Sequence, residues 1–215
     1  MNQLTACPAN ERLDIRTARP DLLATICVTG SSSNADKTTL CEELLEALDL
    51  RGRACVALKI TRTHLDTCPR QNDGCGVCDD LDQPFRLIRD LPTLDVSGKD
   101  TGRYLAAGAA EVLWLIVDPA HMGAGVRAAL DAVPRDAILV AEGNSFKDHV
   151  TGDTLTAMAM TDGLEMKDSA RHVIDRVDVF VGNDATGAES SNGTPWVEAH
   201  QAANWIVERL DALTD

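Results

Sequence analysis

Aromatic residues are scarce in this chain. Its 215 residues include three Trp, one Tyr and three Phe, 3% of the total. A core drawn from that composition is aliphatic and alanine-rich. Basic residues are short as well: 20 Lys and Arg stand against 34 Asp and Glu, a formal charge of -14. A surface of that sign repels nucleic-acid backbones and anionic lipid, so neither nucleic acid nor membrane is an expected partner. An anionic ligand would need a local, pre-organised site working against the global field. No apolar run approaches a membrane span. No basic flank leads into an apolar stretch of signal-peptide length, and the expected compartment is the cytoplasm. The chain has no internal repeat, no low-complexity tract, no Ser-His-Asp pattern and no carboxylate pair of the glycosidase kind.

What remains is ordinary globular material, 44% apolar, of a length that suits a single domain spanning 1–215 with one embellishment. Residues 1 to about 22 are polar, with Pro8 and Pro20, and read as a loose arm. The run at 22–29 is apolar and rich in β-branched residues, which suits a strand buried on both faces. Residues 37–50 place Leu40, Leu44, Leu45 and Leu48 on one helical stripe. After a turn at Gly52, residues 54–60 form a second buried strand, so the segment reads as a βαβ unit with a parallel pair. Regularity then stops over 61–98. It resumes with a helix near 98–112 and strands at 112–117, 136–142 and 177–184. A closing helix over 194–213 would be capped by Thr194, with Pro195 at its first position. The alternation predicts an α/β fold, a three-layer sandwich around a mostly parallel sheet.

The junction of the first strand and helix carries the chemistry. The strand ends in Thr29-Gly30. A small polar loop follows, Ser31, Ser32, Ser33, Asn34, Ala35 and Asp36, and then Lys37-Thr38-Thr39 opens the helix. Backbone N–H groups of such a loop, together with a helix N-terminus, face an anion. Lys37 would reach the β- and γ-phosphates, and the Thr38 hydroxyl would bind Mg²⁺. Asp36 is the departure, because phosphate loops of this layout carry glycine there. A carboxylate about 5 Å from one phosphate charge costs roughly 3 kcal/mol at an effective dielectric near 20, about a hundredfold in affinity. Three readings fit: a working but tuned nucleotide site, a degenerate site on an inherited fold, and a chance match.

The loop resembles that of dethiobiotin synthetase and its relatives, T-G-x5-G-K-T, at Thr29, Gly30, Lys37 and Thr38. A second resemblance is independent of it. Gly98, Lys99, Asp100, Thr101, Arg103, Ala107, Gly108 and Ala109 fit the G-K-D-[ST]-x-R-x3-A-G-A segment of the molybdopterin-guanine dinucleotide biosynthesis adaptor family (MobB-like). An apolar strand ending in Glu142-Gly143, and Lys59 followed by His64, match that family in the same order. The matches run over about residues 24–148. The resemblance implies a P-loop NTPase fold that binds GTP or a guanine-bearing dinucleotide, and the expected cofactor is GTP or ATP with Mg²⁺. Glu142 would then sit beside the nucleotide, or alternatively cap a turn. Asp100 would bond the metal's waters or cap its helix, Lys99 and Arg103 would contact phosphate or lie solvated, and Asn183 would read the base or form a plain turn.

Seven cysteines complete the inventory. Cys7, Cys27, Cys41 and Cys55 are scattered and mostly apolar in context, which reads as small buried hydrophobes. The others cluster within 61–98, a cysteine-bearing insertion after the second strand, in the spacing His64-x3-Cys68-x6-Cys75-x2-Cys78. Thiolates at that spacing select zinc or an iron–sulfur cluster, with His64 or Asp79 as a fourth ligand. A redox dithiol and passive thiols are the other two readings. The combined expectation is a cytoplasmic, GTP-binding P-loop protein with slow hydrolysis, in which Lys37 and Glu142 are the chemical residues. It would act in molybdenum-cofactor or metal-centre assembly, with a partner protein or a homodimer as activator. The alternative is a non-catalytic adaptor whose degenerate loop leaves only a metal-stabilised lobe to dock a partner enzyme.

Overall fold

A computed structural model describes residues 12–63, 81–161, 166–183 and 193–214. In chain order the first half comprises β1 (Leu13–Asp14), α1 (Ile15–Ala18), β2 (Ala24–Gly30), α2 (Lys37–Asp49), β3 (Cys55–Arg62), β4 (Phe85–Ile88), α3 (Leu91–Leu94), α4 (Asp100–Ala106) and β5 (Glu111–Val117). The second half follows with α5 (Met122–Ala132), β6 (Ile138–Glu142), α6 (Asn144–His149), β7 (Val150–Thr151), β8 (Leu155–Ala159), α7 (Asp168–Arg171), β9 (Val179–Gly182), β10 (Trp196–Glu198) and α8 (Ala199–Thr214).

Eight strands form one sheet in the order β10-β9-β8-β2-β6-β3-β5-β4, and β1 and β7 form a small parallel pair apart from it. Every neighbouring pair of the large sheet is parallel except β4 with β5. The central strands are buried on both sides, and β6 and β8 are buried at every position. Alternate residues feed opposite faces. Ile26 and Val28 pack with α2, α4 and α8 on one face, while Cys27 packs with α5 and Phe146 of α6 on the other. Helices therefore cover both faces, as a parallel sheet requires.

The expected pairing of the first two long strands is corrected by this topology. β2 and β3 run parallel but do not touch, because the wholly buried β6 lies between them. From β2 the chain moves to β3 through α2 on one face. From β6 it moves to β8, on the far side of β2, through α6 on the other face. The two connections diverge at the carboxyl ends of β2 and β6, the place where open α/β sheets leave a crevice for ligands.

Three further expectations change. Residues 12–22 are not a loose arm, since Leu13 and Ile15 are buried against the face that holds α5. Within 61–98, the described part is ordered, with β4 as an antiparallel edge strand on β5. The closing helix begins at Ala199 rather than at Thr194, because Trp196, Val197 and Glu198 pair with Phe180, Val181 and Gly182 as an edge strand. Pro195 heads that strand, where its missing N–H costs nothing, and its carbonyl accepts from Phe180 N at 2.9 Å.

Candidate functional site

β2 delivers Thr29 and Gly30 to the crevice. Thr29 Oγ1 donates to the Ala157 carbonyl at 3.0 Å. Gly30 is gripped by one carboxamide: its N–H donates to Asn144 Oδ1 at 2.9 Å, and Asn144 Nδ2 donates to Gly30 O at 3.0 Å. Asn144 Nδ2 also reaches Ser169 Oγ at 3.2 Å. The next residues are tied to the end of β8. Ser31 N–H donates to Ala159 O at 2.9 Å, Thr161 N–H donates to Ser31 Oγ at 3.0 Å, and Ser32 Oγ and Thr161 Oγ1 share a hydrogen bond of 3.1 Å. Ser31, Ser32 and Ala35 are buried, while Ser33 and Asn34 are exposed at the loop tip.

Residues 33–34 form a tight turn, but from residue 32 to residue 39 no backbone N–H makes a close hydrogen bond among the described residues; the ladder of α2 starts with Leu40 N–H on Asp36 O at 3.0 Å. A helix start always leaves its first donors open, but here the open row extends back through the loop. The helix dipole adds positive potential at the same place. Lys37 curls over this row. Its Nζ donates to Ser32 O at 3.0 Å and more weakly to Ser33 O at 3.4 Å, and its stem crosses Gly30. A Cβ at Gly30 would lie 2.9 Å from Lys37 Cγ and Cδ, so glycine is needed for the lysine to lie there. Burial pushes the Lys37 ammonium below its ordinary pKa, against the pull of Glu142; a phosphate would reverse that depression.

Asp36 gains a second meaning. Its φ is 46° and its ψ 28°, the left-handed region, which explains the usual glycine at this position. Aspartate is among the side chains that tolerate it, at roughly 1 kcal/mol. The side chain makes no capping bond and the residue is exposed. The carboxylate is therefore screened by water, and its repulsion on an anion falls below the roughly 3 kcal/mol of a pair at an effective dielectric near 20.

Beside the loop lies a connected polar cluster. Glu142, at the end of β6 and only 3% exposed, accepts from Lys59 Nζ at 2.7 Å, from Thr38 Oγ1 at 3.4 Å and from the Tyr104 hydroxyl. Lys59 Nζ also meets Asp100 Oδ2 at 2.7 Å. Burial alone would depress the Lys59 ammonium, but Glu142 and Asp100 outweigh it and hold its pKa above the ordinary value. Burial would raise the Asp100 carboxyl; Lys59 and Thr38 overcome this and hold it low. Tyr104, the chain's one tyrosine, is wholly buried and held as the neutral phenol, first by desolvation and then by Cys41 and Glu142.

No family model and no curated protein matches this chain. The site is therefore read on its own geometry.

That geometry brings together Gly30, the 31–36 loop, Lys37, Thr38, Thr39, Lys59, Asp100 and Glu142 at one end of the sheet. Asp100 opens α4 as its first residue and serves the Lys59 pair; the capping position belongs to Lys99. Arg103 is held by Glu42 through Nε at 2.7 Å, and its Nη2 reaches Thr39 Oγ1 weakly at 3.5 Å. Asn183 is exposed in the turn after β9, at the same carboxyl end but two strands from β2, about 10 Å across. His64, Cys68, Cys75 and Cys78, and with them the zinc or iron–sulfur expectation, lie outside the described residues. Among the described residues no cluster of three or more His, Cys, Asp or Glu is arranged to hold a metal. Cys27, Cys41 and Cys55 are free and buried, as small hydrophobes. Asn144 and Lys167 escaped the reading of the sequence. Asn144 directly follows Glu142-Gly143, where Gly143 at φ 135° turns the strand into α6; that turn was the available signal. Lys167 had none, since it lies among weakly periodic residues.

Proposed function

We propose that the chain is a P-loop nucleotide-binding protein, with GTP or ATP held as its Mg²⁺ complex at the loop between β2 and α2. The carrying observation is the row of open N–H donors over residues 32–39 beneath the Lys37 ammonium. Such a row suits the bridging and terminal oxygens of a polyphosphate, each of which accepts several bonds. Lys37 would exchange loop carbonyls for phosphate oxygen on binding. The Thr38 hydroxyl and the Asp100 and Glu142 carboxylates are hard oxygen donors, of the kind Mg²⁺ takes. Lys59 already pairs with both carboxylates, so Thr38 is the direct protein ligand in this reading and Glu142 acts through water. The ion would supply charge neutralisation of the phosphates; the loop, Lys37 and Lys59 do the binding and orienting. Hydrolysis is expected to be slow. Arg103 is committed to Glu42, and Glu142 is engaged by Lys59, Thr38 and Tyr104, which leaves neither free to act on the terminal phosphate or its attacking water. The order of motifs over 24–148 points the activity toward assembly of molybdopterin-guanine dinucleotide or of a metal centre, with a protein partner or a second copy as activator.

The adaptor reading, in which the loop binds nothing, draws on Asp36 and its left-handed backbone. Displacement of a fluorescent GTP analogue separates the two. Binding by the wild type that is lost in Lys37→Ala, with phosphate release well below one turnover per second, is the expected outcome. No binding at high micromolar protein would leave the adaptor. Several turnovers per second by the isolated protein would contradict the slow-hydrolysis reading.

A further inference from the structure

The cations around the loop are not equivalent. Lys59 is consumed by Glu142 and Asp100. Lys37 lies on the loop carbonyls. A third lysine approaches from the opposite side. Lys167 N–H donates to Ser31 O at 3.0 Å, which fixes its backbone to the loop itself. Its position is held a second way, since Ser169, two residues on, accepts from the same Asn144 carboxamide that grips Gly30. The Lys167 side chain is exposed and meets no carboxylate or carbonyl among the described residues. In a chain with 34 acidic and 20 basic residues, a lysine with no acidic partner among the described residues, beside a row of open N–H donors, carries information. Its charge reaches Lys37, contributing to the lowering of that ammonium's pKa behind burial. Two like charges carried on the two sides of one loop repel until an anion lies between them.

We infer that Lys167 is a second phosphate-binding lysine, which holds the terminal phosphate of a nucleoside triphosphate against the loop from the β8 side while Lys37 holds it from the α2 side. The inference rests on the nucleotide-binding reading and deepens it: the preferred ligand is a triphosphate, and the β8 side sets the preference over the diphosphate. Asp36, on the same loop, opposes the preference, and the paired lysines offset it.

The experiment is a set of dissociation constants for Mg²⁺-GTP, Mg²⁺-GDP, Mg²⁺-ATP and Mg²⁺-ADP with wild type, Lys37→Ala, Lys167→Ala and Lys167→Arg, with thermal unfolding of each. Losing one charge-assisted contact costs about 10- to 100-fold in affinity. Lys167→Ala should lose that much for the triphosphate and at most a few-fold for the diphosphate, Lys167→Arg should restore most of it, and the unfolding temperature should not move. Wild-type triphosphate affinity in Lys167→Ala, alongside a clear loss in Lys37→Ala, would overturn the inference and leave the nucleotide site standing. Equal losses for tri- and diphosphate would put Lys167 on a phosphate that both carry, and a lowered unfolding temperature would make it a structural residue; either overturns the inference. No binding of any of the four by the wild type would take down both.

Discussion

Asp36 is the residue on which conformation and charge can be separated. Its backbone is left-handed, at φ 46°, and its carboxylate is exposed. Replacing it by glycine removes roughly 1 kcal/mol of backbone strain but restores about 0.5–1 kcal/mol of unfolded-chain freedom. The net stability change is near zero, within about 2 °C in Tm for a chain of this size. The charge effect does not cancel. A carboxylate about 5 Å from a phosphate costs roughly 0.8 kcal/mol in water and roughly 3 kcal/mol at an effective dielectric near 20. An exposed side chain lies toward the first figure, so Asp36→Gly should tighten Mg²⁺-GTP binding about 4-fold at low salt and about 2-fold near physiological salt. Asp36→Asn keeps a side chain that tolerates the left-handed region and removes the charge, so it should tighten binding equally. Asp36→Ala should also tighten binding while losing about 1 kcal/mol of stability. Isothermal titration at two salt concentrations, with thermal melts, reads all of these. If the asparagine variant binds no better than wild type, the electrostatic argument is wrong. If both Gly and Asn weaken binding, the carboxylate belongs to the site.

Other consequences are equally specific. Gly30→Ala should leave the melt close to wild type, since only the flexible Lys37 stem must move, yet lose about tenfold or more in nucleotide affinity because the ammonium is displaced. Lys59→Met strips the cation from Glu142, whose side chain is 4% exposed; a buried charge left unpaired costs about 3–5 kcal/mol, on the order of 10 °C in Tm. The pH dependence follows in sign. Asp100 is held below its ordinary pKa, so its share of wild-type stability is present at neutral pH and lost as pH falls through and below the ordinary carboxylate range. Lys59→Met removes the cation that holds the Asp100 carboxyl low, so the gap to wild type should narrow with acid; a gap constant down through the carboxylate range would refute the pairing. For the cysteine-bearing segment, metal analysis with an absorption spectrum of anaerobically purified protein should give one colourless zinc or a brown iron–sulfur chromophore, lost in Cys75→Ser. No bound metal in the wild type would dispose of that expectation.

The long elements were legible because their physics is local. The Leu40, Leu44, Leu45 and Leu48 stripe and the strand ending at Gly30 each satisfy one period over a long enough run. β8 was not legible. Its five residues, Leu-Thr-Ala-Met-Ala, have modest strand propensity and no alternation, because burial on both faces removes the polar half of the pattern. β10 was hidden by a helix-like sequence around it; pairing with β9, a tertiary contact, overrides the local signal. Strand order was out of reach for the same reason, and with it the position of β6 between β2 and β3. At the site, residue types with a fixed chemical meaning were found from the sequence: Lys37, Thr38, Glu142, Asp100. The residues that were missed act through backbone contacts made across the fold. Asn144 bonds to Gly30, 114 positions away, and Lys167 reaches Ser31 through its amide. At Asp36 the sequence displays a charge, but the left-handed backbone cannot be read from composition.

The central claim is that the N–H donors of residues 32–39 face a polyphosphate. Amide chemical shifts of isotope-labelled protein, followed through a titration with Mg²⁺-GTP and Mg²⁺-ATP, address those donors one by one. Large, saturable shifts are predicted for Ser32, Ser33, Asn34, Ala35, Lys37 and Thr38, with smaller ones at Asn144 and Lys167, and none of them in Lys37→Ala. Unmoved loop amides at saturating nucleotide, or shifts confined to another part of the sheet, would contradict the account.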